Sequence, residues 1–172
     1  MSELHAVAHK MVEKNKGILA ADESTPTCTK RFESINTEST AESRNMYRNI
    51  LFTAKDIEKY ISGVILFDET FHQSELSSGL KIPEYLTSKD ILPGIKVDQG
   101  LENFGSNEKL TMGLDGLSER LVKYYALGAR FAKWRAVITP GNGTPTDECI
   151  LANAKNLAKY AQKCQNANLV PI

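Results

Sequence analysis

The sequence predicts an α/β fold built on a parallel sheet, and three observations predict it. Short apolar runs alternate with amphipathic helical stretches at least four times. The clearest run, Gly63-Val64-Ile65-Leu66-Phe67, is apolar throughout rather than alternating, as in a strand buried on both faces. Acidic or cationic residues gather at one end of these runs, where parallel α/β folds build their sites. Two architectures meet this pattern, an open doubly wound sheet and a (β/α)8 barrel. No GxGxxG follows the first strand, which weighs against the dinucleotide-binding form of the open sheet.

Taken in order, residues 3 to 15 place Leu4, Val7, Ala8, Met11 and Val12 at helical spacing, and Gly17 breaks that helix. Ile18-Leu19-Ala20-Ala21 is a short buried strand. Thr25 followed by Pro26 reads as an N-cap with proline at the first helical position, opening a helix to about Ile35. Ser39-Thr40-Ala41-Glu42 reads as a capping box, ahead of a helix with Met46, Tyr47, Ile50, Leu51 and Ala54 on one side. The strand Gly63–Phe67 stops at Asp68-Glu69-Thr70, and a polar loop runs from Ser74 to Gly79. Pro93-Gly94 leads into a third strand, Ile95–Asp98. Asp115 is expected to cap a helix holding Leu117, Leu121 and Tyr124, closed by Gly128. Phe131–Val137 is a strand of aromatic and branched residues. Thr144-Pro145-Thr146-Asp147 reads as a cap with an N1 proline and an acid at N3, before an apolar stripe of Ile150, Leu151, Ala154, Leu157, Ala158 and Ala161. Leu169-Val170-Pro171-Ile172 begins a fifth apolar run.

The 172 residues amount to one ordinary domain, 1–172, and 41% hydrophobic residues suffice for a core. With 21 basic and 21 acidic side chains, bulk attraction to nucleic acid or an anionic membrane is not expected. Any anion binding must come from local arrangement. Cys28, Cys149 and Cys164 are widely spaced, odd in number and free of CxxC, which fits reduced thiols in a cytoplasmic protein. Met1–Lys10 lacks an apolar signal core, and no apolar run is long enough to span a membrane. His5 and His9 at i, i+4 could grip a metal on a helix, but no third ligand lies nearby, so a solvated face is expected and no metal site.

The strand Phe131–Val137 carries the chemistry. Side chains alternate along a strand, so Phe131, Lys133 and Arg135 share one face and Ala132, Trp134 and Ala136 the other. Two cations on a buried strand are costly unless an anion meets them, which points to a pocket for a phosphate or carboxylate; on a solvated edge strand they would mean nothing more. Lys96 lies near the same end, and Asp22, Asp68 and Asp98 each follow an apolar run. Singly, each aspartate reads as a helix N-cap. Together, acids and amines suit proton transfer or imine chemistry with a carbonyl.

Several of these stretches in series resemble class I fructose-1,6-bisphosphate aldolases: Gly17–Thr25, Gly63–Phe67, Gly94–Asp98, Gly113–Arg120 and Phe131–Arg135. The resemblance runs from about residue 4 to the last residue. It implies the first four to five βα units of a (β/α)8 barrel and an imine mechanism with no metal or other cofactor. It implies reversible cleavage of D-fructose 1,6-bisphosphate to glycerone phosphate and D-glyceraldehyde 3-phosphate. The resemblance makes Asp22 the proton-transfer aspartate and Lys96 a lysine close to the substrate. Lys133 becomes the lysine of carbinolamine turnover, with Arg135 beside it to hold the site charges. It makes Arg31 and Arg44 substrate-binding arginines, Arg31 near a phosphate, with Ser24 and Thr27 as nearby hydroxyls. Family members commonly form homotetramers when full length. Pro26-Thr27, Asn45 and Gln99 depart from the common pattern. No residue matches the imine-forming lysine, so the 172-residue chain is expected to be inactive alone. The alternative is a non-catalytic half-barrel that pairs with another chain.

Overall fold

A computed structural model describes residues 2–172. Five parallel strands form one sheet in the order β1 (Gly17–Ala21), β2 (Ile61–Leu66), β3 (Leu92–Lys96), β6 (Phe131–Lys133) and β7 (Val170–Pro171). An antiparallel hairpin, β4 (Leu101–Phe104) with β5 (Glu108–Thr111), interrupts the series. The helices are α1 (Glu3–Met11), α2 (Thr25–Glu33), α3 (Ala41–Phe52), α4 (Asp68–His72), α5 (Ile82–Ser88), α6 (Leu117–Ala126) and α7 (Asp147–Asn166). Sheet neighbours in chain order with helical crossovers are the pattern of a (β/α) barrel, of which this is a part.

Alternation along the strands builds two cores. Val64, Leu66, Ile95 and Ala132 point to the large cluster that includes Leu86, Leu117, Leu121, Trp134 and Tyr160. Ile65 and Phe131 point the other way, into a smaller cluster with Val7 and Met11 of α1. α1 therefore covers the inner face at the N-terminal ends of the strands. The opposite end of that face is left to polar side chains.

Several local expectations are corrected. The N-cap of α2 is Ser24, not Thr25, and it makes no side-chain cap bond. Pro26 falls at the second helical position, where it offers no N–H to cap. The capping box of α3 is Thr40 with Ser43, not Ser39 with Glu42. Ser39 instead accepts from Arg44 and Thr29. Gly116 at φ 61° stands at the α6 N-cap position in place of Asp115. α7 is capped by Thr146, which accepts from Cys149 N, so Pro145 precedes the helix. The first helix ends at Met11, and the strand at Phe131 ends at Lys133. α5 and the hairpin arise where no element was expected.

Two helix faces also differ from expectation, that of α7 being reversed and that of α3 rotated so that Leu51 still packs on the core. Met46 and Ile50 of α3 are exposed, while Arg44, Arg48, Asn49 and Phe52 are buried. Ile150, Leu151 and Leu157 of α7 are exposed, and Cys149, Asn153, Tyr160 and Cys164 face inward. In both, the inward polar groups have specific partners. Asn49 Nδ2 donates to Ser74 O, and Tyr160 donates to Ala132 O at 2.5 Å. The three cysteines are free and buried, and burial pushes the Cys164 thiol up to about 12. Among the described residues, no helix is long and apolar enough to cross a membrane.

Candidate active site

Three strands deliver charged groups to one end of the inner face. Asp22 follows β1, Lys96 closes β3 and Lys133 closes β6. Parallel pairing sets Lys96 opposite Lys133. Lys133 Nζ donates to Asp22 Oδ2 at 2.9 Å. β2 and β3 lie between the two strands concerned. Three strand spacings of about 4.8 Å exceed what one lysine and one aspartate span side by side, so the sheet must curve to bring them together. Lys96 Nζ stands 3.4 Å from Asp98 Oδ2 and 5.9 Å from the centre of the Phe67 ring. Asp98 Oδ1 is buried without a donor.

These groups share a cavity of about 250 Å³. Asp22, Lys96, Lys133 and Arg135 line it, with Ser24 and Thr27 at the start of α2 and the carboxylates of Glu23 and Asp98. The Ser24 and Thr27 hydroxyls are 3.1 Å apart. Three cations face three carboxylates on this wall, so the empty cavity is close to electrically balanced. A cleft of about 680 Å³ opens beside it, sharing Ser24, Lys96 and Asp98 and floored by Phe67 and Tyr124. There the Tyr124 hydroxyl donates to Asp68 Oδ1 at 2.6 Å, and burial first, then that carboxylate, raises its pKa.

Of the side chains expected at the site, Arg31, Arg44 and Asp68 do not line this cavity, Asp68 facing the larger cleft instead. Arg31 Nη1 donates to Glu23 Oε1 and, at 3.0 Å, to the Tyr47 hydroxyl. The Tyr47 hydroxyl is itself 3.1 Å from Glu23 Oε1. Its hydrogen bond to the Glu23 carboxylate holds the Arg31 guanidinium above its ordinary pKa. Arg44 is buried and engaged behind the site. Its Nε donates to Glu69 Oε2 at 2.9 Å and its Nη2 to Oε1 at 2.5 Å. Those bonds keep the Glu69 carboxyl below the usual range. Arg48, fully buried, donates to Glu69 Oε2 at 3.3 Å and to Glu23 O at 2.6 Å.

Glu23 and Glu69 were missed as site groups, while Asp98, grouped with Asp22 and the amines in the sequence, lines the cavity. The signal for Glu23 was present, since it too follows an apolar run. The cap reading of Asp98 fails because no helix starts there; the chain enters the hairpin instead. An amine and a carboxylate in contact, with a second amine on the adjacent strand, can carry a proton to and from a bound oxygen. Hydroxyls and cations around them can seat an anion.

Known proteins resemble this chain over nearly its whole length. A family model described as glycolytic, fructose-bisphosphate aldolase class-I, matches residues 3–172. Fructose-bisphosphate aldolase 1 of Toxoplasma gondii is 53% identical over 99% of this chain and 48% of that protein. A probable class 1 fructose-bisphosphate aldolase of Xanthomonas axonopodis pv. citri is 49% identical over 100% of this chain and 52% of its own length. Among solved structures, fructose-bisphosphate aldolase from Plasmodium falciparum, in complex with TRAP and a small-molecule inhibitor, superimposes with a TM-score of 0.94. It is 50% identical, and the match covers 98% of this chain and 50% of that one. The chain spans about half the length of the curated relatives it matches.

Proposed function

The chain belongs to the class-I fructose-bisphosphate aldolase family, and from that premise we propose that its residues form the wall of an aldolase site that binds a sugar phosphate and transfers protons. The activity is reversible cleavage of D-fructose 1,6-bisphosphate into glycerone phosphate and D-glyceraldehyde 3-phosphate through an imine, without metal. The setting is glycolysis and gluconeogenesis in the cytoplasm, in a homo-oligomer. The Lys133–Asp22 contact carries this reading, because it joins an amine and a carboxylate from distant strands in a cavity with a second amine. Asp22 handles the proton of carbon–carbon cleavage, and Lys133 that of carbinolamine turnover. Lys96 meets the substrate from the adjacent strand, and Arg135 keeps the site charges in place. One phosphate lies toward Ser24, Thr27 and Arg31. Arg44 is engaged with Glu69 and supports the wall rather than the ligand.

Titration calorimetry of fructose 1,6-bisphosphate into the purified chain tests this. Lys133→Met is expected to weaken binding about tenfold to a hundredfold, the range for a lost charge-assisted hydrogen bond. Equal binding by both forms would remove Lys133 from the site. Borohydride added with the sugar is expected to leave the chain's mass unchanged, because no lysine in it matches the imine position. A stoichiometric adduct would move the imine to Lys96 or Lys133.

A second reading, a half-barrel that pairs with another chain, is favoured by a specific observation. β1 and β7 are the outer strands of the sheet, and Met46, Ile50, Ile150, Leu151 and Leu157 are exposed. Such edges and apolar faces favour association. Sedimentation of the chain with the C-terminal half of a relative is expected to give a heterodimer. If the two halves sediment separately, this second reading falls.

A further inference from the structure

Glu23 stands between the cavity and Arg31. Glu23 lines the cavity, while among the described residues the Arg31 side chain is joined to that wall through Glu23 Oε1 and the Tyr47 hydroxyl. The Arg31 side chain is 55% exposed and that of Glu23 only 12%. The arginine thus has room to move, and the carboxylate is set into the wall. The backbone of Glu23 is pinned from behind by Arg48 Nη2 on its carbonyl oxygen. The side chain can turn without the loop moving.

The Glu23 carboxylate is also incompletely satisfied. Oε1 takes both bonds, and Oε2 is buried with no donor. A buried acceptor without a donor weakens the arrangement that contains it. A phosphate offers more acceptor oxygens than one carboxylate oxygen and more charge, so it competes well for a guanidinium. It also meets repulsion if Glu23 keeps its place.

Resting on the sugar-phosphate reading of this cavity, we infer that Glu23 is an internal competitor for Arg31, a carboxylate that a ligand phosphate must displace. Glu23 is then a positioning residue that acts through Arg31. It holds the guanidinium in reserve while the cavity is empty and lowers the affinity for a lone phosphate. A ligand gripped at its other end by Lys96, Lys133 and Arg135 offsets that penalty, whereas free inorganic phosphate bears it in full and binds more weakly. The specificity consequence is a preference for bisphosphates over simple phosphate, set by a residue that makes no bond to the ligand.

The probe is inorganic phosphate, titrated by calorimetry at fixed pH and low ionic strength into the purified chain and its Glu23→Gln, Arg31→Met and double variants. Glu23→Gln is expected to bind phosphate about threefold to fivefold tighter, the range supported by a partly exposed ion pair. In the Arg31→Met background the same change is expected to give no gain. Phenylglyoxal is expected to modify Arg31 several-fold faster in Glu23→Gln, with phosphate protecting it. A role confined to folding would move neither the coupling nor that protection. The inference is overturned if Glu23→Gln binds phosphate no tighter than wild type, or if the gain survives without Arg31. In both of those outcomes wild type still binds phosphate, and the sugar-phosphate reading stands. If no form binds phosphate or fructose 1,6-bisphosphate, that reading fails and takes the competitor role with it.

Discussion

Gly94→Ala is expected to destabilise the fold by about 3 kcal/mol, the upper range for adding a methyl group to a filled core. Gly94 lies in β3 opposite Phe131 of β6, and the Phe131 ring rests flat over its backbone. A Cβ built there would stand 2.6 Å from Phe131 Cε1 and closer still to Cζ and Cε2. The ring has nowhere to go, because it is fully buried among Val7, Met11 and Ile65. The neighbouring Gly63 is a graded control. Its Cβ would meet Phe131 Cε1 at 3.0 Å, so Gly63→Ala should cost less. Urea unfolding followed by circular dichroism reads both. Adding Phe131→Leu to Gly94→Ala should recover part of the loss by removing the atoms that clash. If Gly94→Ala unfolds at the wild-type midpoint, the Phe131 ring is not packed tightly against Gly94.

That ring also marks where sequence and structure part. The parallel sheet was legible because its strands are buried on both faces, and Val64, Ile65 and Leu66 read as apolar in either direction. The charged lining of the cavity was legible through Asp22, Lys96, Lys133 and Arg135, since the ends of successive parallel strands converge without knowledge of the helices. The faces of α1 and α6 were legible, with Val7, Met11, Leu117, Leu121 and Tyr124 buried, but those of α3 and α7 were not. Periodicity assigns the inward face of α3 to Met46 and Ile50, yet the wall behind the site is ionic, and Arg44 and Arg48 face it. A pattern rule has no means to see that Glu69, from α4 just beyond β2, supplies the counter-charge. The hairpin was lost for a different reason. Leu101–Thr111 is mostly polar, and what fixes it is Thr111 donating to Arg135 O and Glu108 accepting from Thr146, contacts remote in sequence. Glu23 was hidden by its neighbour. Beside Asp22 it reads as a second acid in a turn, and only the position of Arg31 on α2 gives it a partner.

Glu69→Gln is expected to cost about 3 kcal/mol at neutral pH, because it leaves two buried guanidiniums without a counter-ion. Arg48 is 0% exposed and Arg44 8%, and Glu69 is the one carboxylate that both reach. Glutamine keeps a single acceptor and turns an amide donor toward donors. Arg48→Met is expected to cost less, since Glu69 retains Arg44 and the main loss is the donor to Glu23 O. The dependence on pH separates charge from shape. Arg44 holds the folded Glu69 carboxyl below its ordinary 4.5, so its contribution is fully present above that value and fades as pH falls through the lower folded pKa. The gap in stability between wild type and Glu69→Gln should therefore be constant from neutral pH to about pH 5 and narrow in more acidic solution. A gap that stays constant down to pH 3 would mean that Glu69 contributes packing and hydrogen bonds, and that Arg44 and Arg48 are neutralised by some other group.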